Sequence, residues 1–214
     1  MKATAKRRTG LPVEFAQAPM RTIRPADAAA VYAHPGTQMV RLERLGLLHK
    51  VAVGYYVVVP QERIGTDWRP TIEATAAGVA TAALGAGRAV LMGVSAGRLH
   101  NVVPRALGIA IVAVPGDRRD IVLRDRDGLV HFVERDTDVL DAELMTTDLG
   151  QCLVTTAEQT VLDLAHRPNL GNVVDEAHAA IAALLPRCNE ETLERLAGQQ
   201  RLRAALTRVR RAAR

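Results

Sequence analysis

The sequence predicts a mixed α/β (α+β) fold: an N-terminal winged helix-turn-helix, then a larger mixed α/β domain that ends in a basic amphipathic helix. Three observations lead there. Residues 37–60 read as a short arginine-bearing helix, a glycine and a tight β-ribbon closed by Pro60. After residue 70, short β-branched runs alternate with Ala- and Leu-rich helical stretches. Charge is also segregated: Lys/Arg against Asp/Glu stand at 10 to 4 over residues 1–66, 11 to 17 over 67–190 and 7 to 2 over 191–214. Basic ends around an acidic middle argue for modules, and basic ends suit a polyanion, whose condensed counterions are released on binding. The division is a flexible basic arm (1–20), a winged helix-turn-helix (21–66) and an α/β domain (67–214) with a basic helix at 190–214.

In the N-terminal part, residues 1–20 are polar and show no periodicity. Arg24-Pro25 opens a helix to Ala33, with proline in the first turn where no amide bond is lost. His34-Pro35-Gly36 is expected to break it, and Thr37 to cap a second helix running to about Leu48. Two short helices across a Gly-containing break match a helix-turn-helix. His49–Val53 and Tyr55–Val59 flank Gly54 as a hairpin. Residues 61–70, with Gly65 and Pro70, form the expected linker, and Trp68 packs the join.

The second part reads as Thr71–Leu84 helix, Ala89–Val94 strand, Ser95–Val102 helix opening on Ser95, and Ile109–Val114 strand. A hairpin is expected where Ile121–Arg124 and Leu129–Val133 flank Arg-Asp-Arg-Asp-Gly128. Cys152–Thr155 is a short strand. Thr156-Ala-Glu-Gln159 matches a capping box that opens a helix through Leu164. Asp175–Leu185 is amphipathic and stops at Pro186, and 190–214 reads as one final helix.

Composition excludes several classes. Aromatics make up 3% of the 214 residues against 48% hydrophobic, so the core rests on Ala, Val and Leu. No apolar run approaches the roughly 18 residues that span a bilayer, and no apolar segment follows the basic N-terminus as in a secretory signal. Cys152 and Cys188 lie far apart without metal-ligand spacing and read as reduced thiols of a cytoplasmic protein. The acidic run Asp117, Asp120, Asp125, Asp127, Asp136, Asp138 and Asp141 fits no Ca²⁺ loop and, interleaved with arginines, reads as a solvated hairpin. No cofactor is implied.

Thr37, Arg41, Arg44 and Leu48 fall at i, i+4, i+7 and i+11, one stripe of a helix. On a recognition helix, such arginines pair with guanine in the major groove. The candidate DNA contacts are Thr37, Gln38, Arg41 and Arg44 for bases, with Arg24, Lys50 and Tyr55 for the backbone. Gly93-Val-Ser95-Ala-Gly97 also matches the G-x-S-x-G elbow of serine hydrolases, with Asp141 or Asp163 and His166 or His178 as partners. Against it, an α/β-hydrolase sheet normally needs more chain than residues 67–214 provide, and helix capping explains Ser95 without catalysis. A regulator whose α/β domain senses a small ligand is a further alternative. The C-terminal arginines either face solvent or meet DNA phosphates or an acidic protein.

Arg41-Leu-Glu-Arg-Leu-Gly-Leu-Leu followed by Gly54-Tyr-Tyr-Val-Val-Val-Pro resembles the winged helix of AbiEi-family antitoxins. Ser95-Ala-Gly-Arg-Leu-His100 and Thr156-Ala-Glu-Gln-Thr-Val-Leu-Asp-Leu-Ala-His-Arg-Pro168 resemble later helices of that family, in the expected order. The resemblance implies a non-enzymatic antitoxin that represses its own promoter at inverted repeats and counters a nucleotidyltransferase-like toxin. The chain departs from the family at Val53, where a basic residue is common, and at Gln159, where arginine is common.

Overall fold

A computed structural model describes residues 10–212. The N-terminal part runs α1 (Val13–Ala16), β1 (Thr22–Ile23), α2 (Pro25–Ala28), α3 (Pro35–Arg44), β2 (Leu48–Ala52) and β3 (Tyr55–Val58). Its antiparallel sheet has the order β1-β3-β2. Helix, strand, two helices and a ribbon in that sheet order are the connectivity of a winged helix-turn-helix. One face of the ribbon, through Leu48, Tyr56 and Val58, packs with Phe15, Met39 and Leu42 of the helices.

Several local expectations change. Residues 1–9 of the expected arm lie outside the described residues, but the remainder is built into the fold: Phe15 is buried and meets Tyr32 edge-on at 5.9 Å between ring centroids. Pro35 is the first residue of α3 rather than part of a break, because a missing amide costs nothing there. Thr37 therefore lies inside the helix and does not cap it. The helix stops at Arg44 because Gly46 takes φ +70° and the Leu47 amide reaches back to the Leu42 carbonyl at 3.0 Å, a Schellman ending. Leu48 consequently stands on the ribbon, buried, and off the helical stripe.

The rest of the chain runs α4 (Ile72–Leu84), β4 (Val90–Leu91), α5 (Gly93–Leu99), β5 (Ile109–Val114), β6 (Ile121–Val122) and β7 (Leu129–Glu134). It continues through β8 (Ala142–Thr147), β9 (Gly150–Thr155), α6 (Ala157–His166), α7 (Val174–Leu184), α8 (Glu190–Gln199) and α9 (Arg203–Ala212). One mixed sheet has the order β6-β7-β5-β4-β9-β8, with β4–β9 and β5–β7 parallel and the other pairs antiparallel. The fold is mixed α/β, as the sequence predicts.

Alternation along the strands separates two cores. Leu91, Val112, Val114 and Val154 face α4 and the second face of the ribbon, through Ala76, Val79, Ala80, Val51 and Val57. Val90, Met92, Ile111 and Ala113 face the layer of α5 to α9, through Leu162, Ala177, Leu184, Leu196 and Leu206. The sheet and α4 thus stand between the winged part and the C-terminal helices. The expected final helix is two: Arg201 takes φ +58° and the Leu202 amide closes onto the Ala197 carbonyl at 2.8 Å.

The two parts are joined edge to edge. Ala52 bridges Leu123, and the Arg124 amide donates to the Val51 carbonyl at 2.8 Å. The expected solvated hairpin is here partly buried, because Asp125 turns inward. Its carboxylate meets His49 Nε2 at 2.9 Å and accepts from Arg126 Nη2 at 2.8 Å, while Arg69 donates to its carbonyl. Burial raises the Asp125 carboxyl pKa, but hydrogen bonds from His49 and Arg126, with their charges, override this and hold it down to about 2. Trp68 packs against the cluster at this join.

Candidate nucleic-acid interface

The face of α3 turned away from the core carries the most distinctive chemistry of the N-terminal part. Met39 and Leu42 are fully buried, which fixes the helix rotation and leaves Thr37, Val40, Arg41 and Arg44 exposed. These four, with Gly36, line a surface depression of about 560 Å³. Positions i, i+3, i+4 and i+7 share one helical face, so the grouping follows from periodicity. No carboxylate is among these lining residues. Gln38 is half-buried at the flank of this face. Val40 was missed from sequence because apolar residues on a short helix are assigned to the core; its i+3 spacing from Thr37 was the available signal.

The remaining predicted contacts divide. Lys50 stands opposite Tyr56 in the ribbon register, on the helix-facing side, with its ammonium 5.5 Å from the Tyr56 ring centroid. Tyr55 packs instead at the join with the α/β part and is not brought together with Arg41 and Arg44. Arg24 is occupied: it forms an ion pair with Asp27 at 3.1 Å, and its amide donates to the same carboxylate at 2.8 Å. The guanidinium's own hydrogen bonds to Asp27 push the Arg24 pKa up, and the side chain lines a cleft between α2 and the end of α4. At the tip of the wing, Val53 is exposed beside Gly54, which takes φ +80°.

The serine elbow does not form. A nucleophile elbow places its serine exposed at the sharp strand-to-helix turn, whereas here Gly93 takes the turn at φ +58° and Ser95 lies inside α5 at 0% exposure. Its hydroxyl accepts the Ile111 amide at 2.8 Å. It is therefore neither a nucleophile within reach of His166 or His178, which are exposed on the helical layer, nor the N-cap of α5, a position held by Met92. Asp163 is committed elsewhere, accepting from Arg135 and Gln159 at 3.1 Å each, and burial raises its carboxyl pKa despite the Arg135 charge. Asp141 accepts from the Thr156 hydroxyl at 2.7 Å.

Thr156 caps α6 as expected, but Gln159 does not close the box. Its side chain joins Asp163 and Gln200 instead. Both cysteines are free thiols, and burial pushes Cys152 up to about 11 and Cys188 to about 12. Among the described residues there is no cluster of three or more metal-ligating side chains, and no helix is long and apolar enough to cross a membrane.

Neither a family model nor a curated protein matches the sequence. Among solved structures, the chain is similar to the RV2827C protein from Mycobacterium tuberculosis, with a TM-score of 0.54 at 18% identity over 88% of this chain and 72% of that one. At that identity the likeness concerns the fold.

Proposed function

We propose that this protein is a cytoplasmic, non-enzymatic antitoxin that binds double-stranded DNA at inverted repeats in its own promoter, represses its operon and counters a nucleotidyltransferase-like toxin. The observation that carries the DNA half is the exposed Thr37-Val40-Arg41-Arg44 face of α3, set beside a ribbon in a winged helix-turn-helix connectivity. The toxin half rests on the family resemblance of the motifs around Ser95 and Thr156.

In this reading α3 lies in the major groove. Arg41 and Arg44 reach guanine edges, whose O6 and N7 accept a bidentate guanidinium, and Thr37 lies near the N-terminal end of α3 for a base or phosphate. Val40, 40% exposed beside the arginines, meets a thymine methyl. Lys50 supplies a phosphate contact from the ribbon. The wing tip, with Val53 in place of a cation, adds little charge.

The test is a gel-shift titration on the DNA upstream of the gene at fixed salt. Arg41→Ala combined with Arg44→Ala should weaken binding at least about tenfold, since one base contact is worth roughly 1–3 kcal/mol. Unchanged affinity would sink the reading. Co-expression with the toxin that this reading assigns to the same operon tests the second half: growth should be restored by the wild type and equally by the double arginine variant.

A further inference from the structure

We propose that the groove between α6, α7 and α9 binds a compact apolar carboxylate, its acid group held at Arg208 and His178 and its body on Ile181, Leu185 and Val209. This site is independent of the DNA-binding reading and lies on the opposite side of the sheet from α3.

The cavity measures about 480 Å³, within the range of roughly 300–1,000 Å³ for small-ligand pockets. Its floor is apolar, formed by buried Ala165, Ile181 and Val209, with Leu185 half-buried at the wall. An apolar body placed there leaves water for a preformed surface. Among the described residues, the ionisable side chains that line the cavity are Arg208 from α9 and His178 from α7, and none of the described lining residues is a carboxylate. The charge therefore selects an anion.

Arg208 is also oriented. Its Nη1 donates to the Ala165 carbonyl at 2.9 Å, which anchors the guanidinium at the mouth. Among the described residues its other N–H groups carry no further bond, and two of them suit a carboxylate. Burial first, then the charges of Arg167 and Arg135, lower the pKa of the neighbouring His166 imidazole, with the Asp163 charge opposing them and Arg208 adding to them.

Calorimetric titration of the full chain with 1-naphthoate tests this, with 1-naphthalenemethanol as the uncharged isostere. The acid should bind saturably at one site and at least about tenfold tighter than the alcohol, the size of one charge-assisted hydrogen bond. Arg208→Met should remove that preference while leaving the alcohol's affinity unchanged. Ala182→Phe, at an exposed helical position lining the cavity, should fill it and abolish binding of both with the circular dichroism spectrum preserved. Absence of saturable binding, equal affinity for acid and alcohol in the wild type, or unchanged binding in Ala182→Phe would overturn the proposal.

Discussion

Arg41 and Arg44 sit one turn apart on a helix whose rotation is set by Met39 and Leu42, so their exposure follows from the burial of their neighbours. Lys50 differs, because it lies over the Tyr56 ring and acts as a point charge. Lys50→Ala is therefore expected to weaken all DNA sequences alike and to reduce the slope of log affinity against log salt by about one, measured across a salt series. Ser95 is structural: in Ser95→Ala the buried Ile111 amide loses its acceptor, a cost of about 1–3 kcal/mol that denaturant unfolding would read. A serine-directed probe should label wild type and variant equally weakly. Asp125 gives a pH signature. Its carboxyl is held below the ordinary 3.8, at about 2, so its contribution is present above the ordinary value and is lost as pH falls from about 4 to 2. Wild type should exceed Asp125→Asn by on the order of 2 kcal/mol at pH 6, with the gap closing by pH 2.

At the scale of elements, α4 approaches β1 so closely that a Cβ on Gly78 would strike Thr22 Oγ1, itself bonded to the Met20 carbonyl at 2.8 Å. Gly78→Ala, ordinarily favourable in a helix, should instead lower stability by roughly 1–3 kcal/mol in thermal or denaturant unfolding. The same scale shows what sequence could reveal. Thr156 caps its helix as expected, the helix expected from Thr71 starts at Ile72 with Thr71 as its cap, and Ile109–Val114 is a strand at the expected residues because its β-branched run is buried on both faces. Strand β8 was illegible: as an edge strand it leaves Glu143, Leu144 and Thr146 exposed, so it carries no clean alternation. The break at Arg201 was hidden because an arginine, not a glycine, takes the left-handed conformation. Of the site, Thr37, Arg41 and Arg44 were visible from spacing. The diversion of Tyr55 into the join, the capture of Arg24 by Asp27 and the exposure of Val40 depend on tertiary packing that periodicity does not contain.

For the whole molecule, the layer order decides which charges cooperate. The C-terminal arginines read from sequence as facing solvent or meeting DNA phosphates or an acidic protein, and α9 packs on the sheet face opposite to α4 and the ribbon. Arg210 is also occupied by Glu190 and Glu194, and Arg208 gives one of its N–H groups to the Ala165 carbonyl. Arg203→Gln with Arg211→Gln should therefore leave promoter affinity unchanged in a gel shift. The seam through Ala52, His49 and Asp125 fixes the ribbon to the α/β part, so α3 is presented from a braced support rather than from a hinged arm. The fold presents α3 to read the DNA upstream of this gene in the proposed function. The most direct measurement is a titration of that fragment and a scrambled one at fixed salt, with wild type and with Arg41→Ala plus Arg44→Ala. Wild type should bind the promoter fragment alone tightly, and the double variant should lose that binding while keeping its circular dichroism spectrum; equal binding of both fragments, or undiminished binding by the variant, would rule out readout by α3.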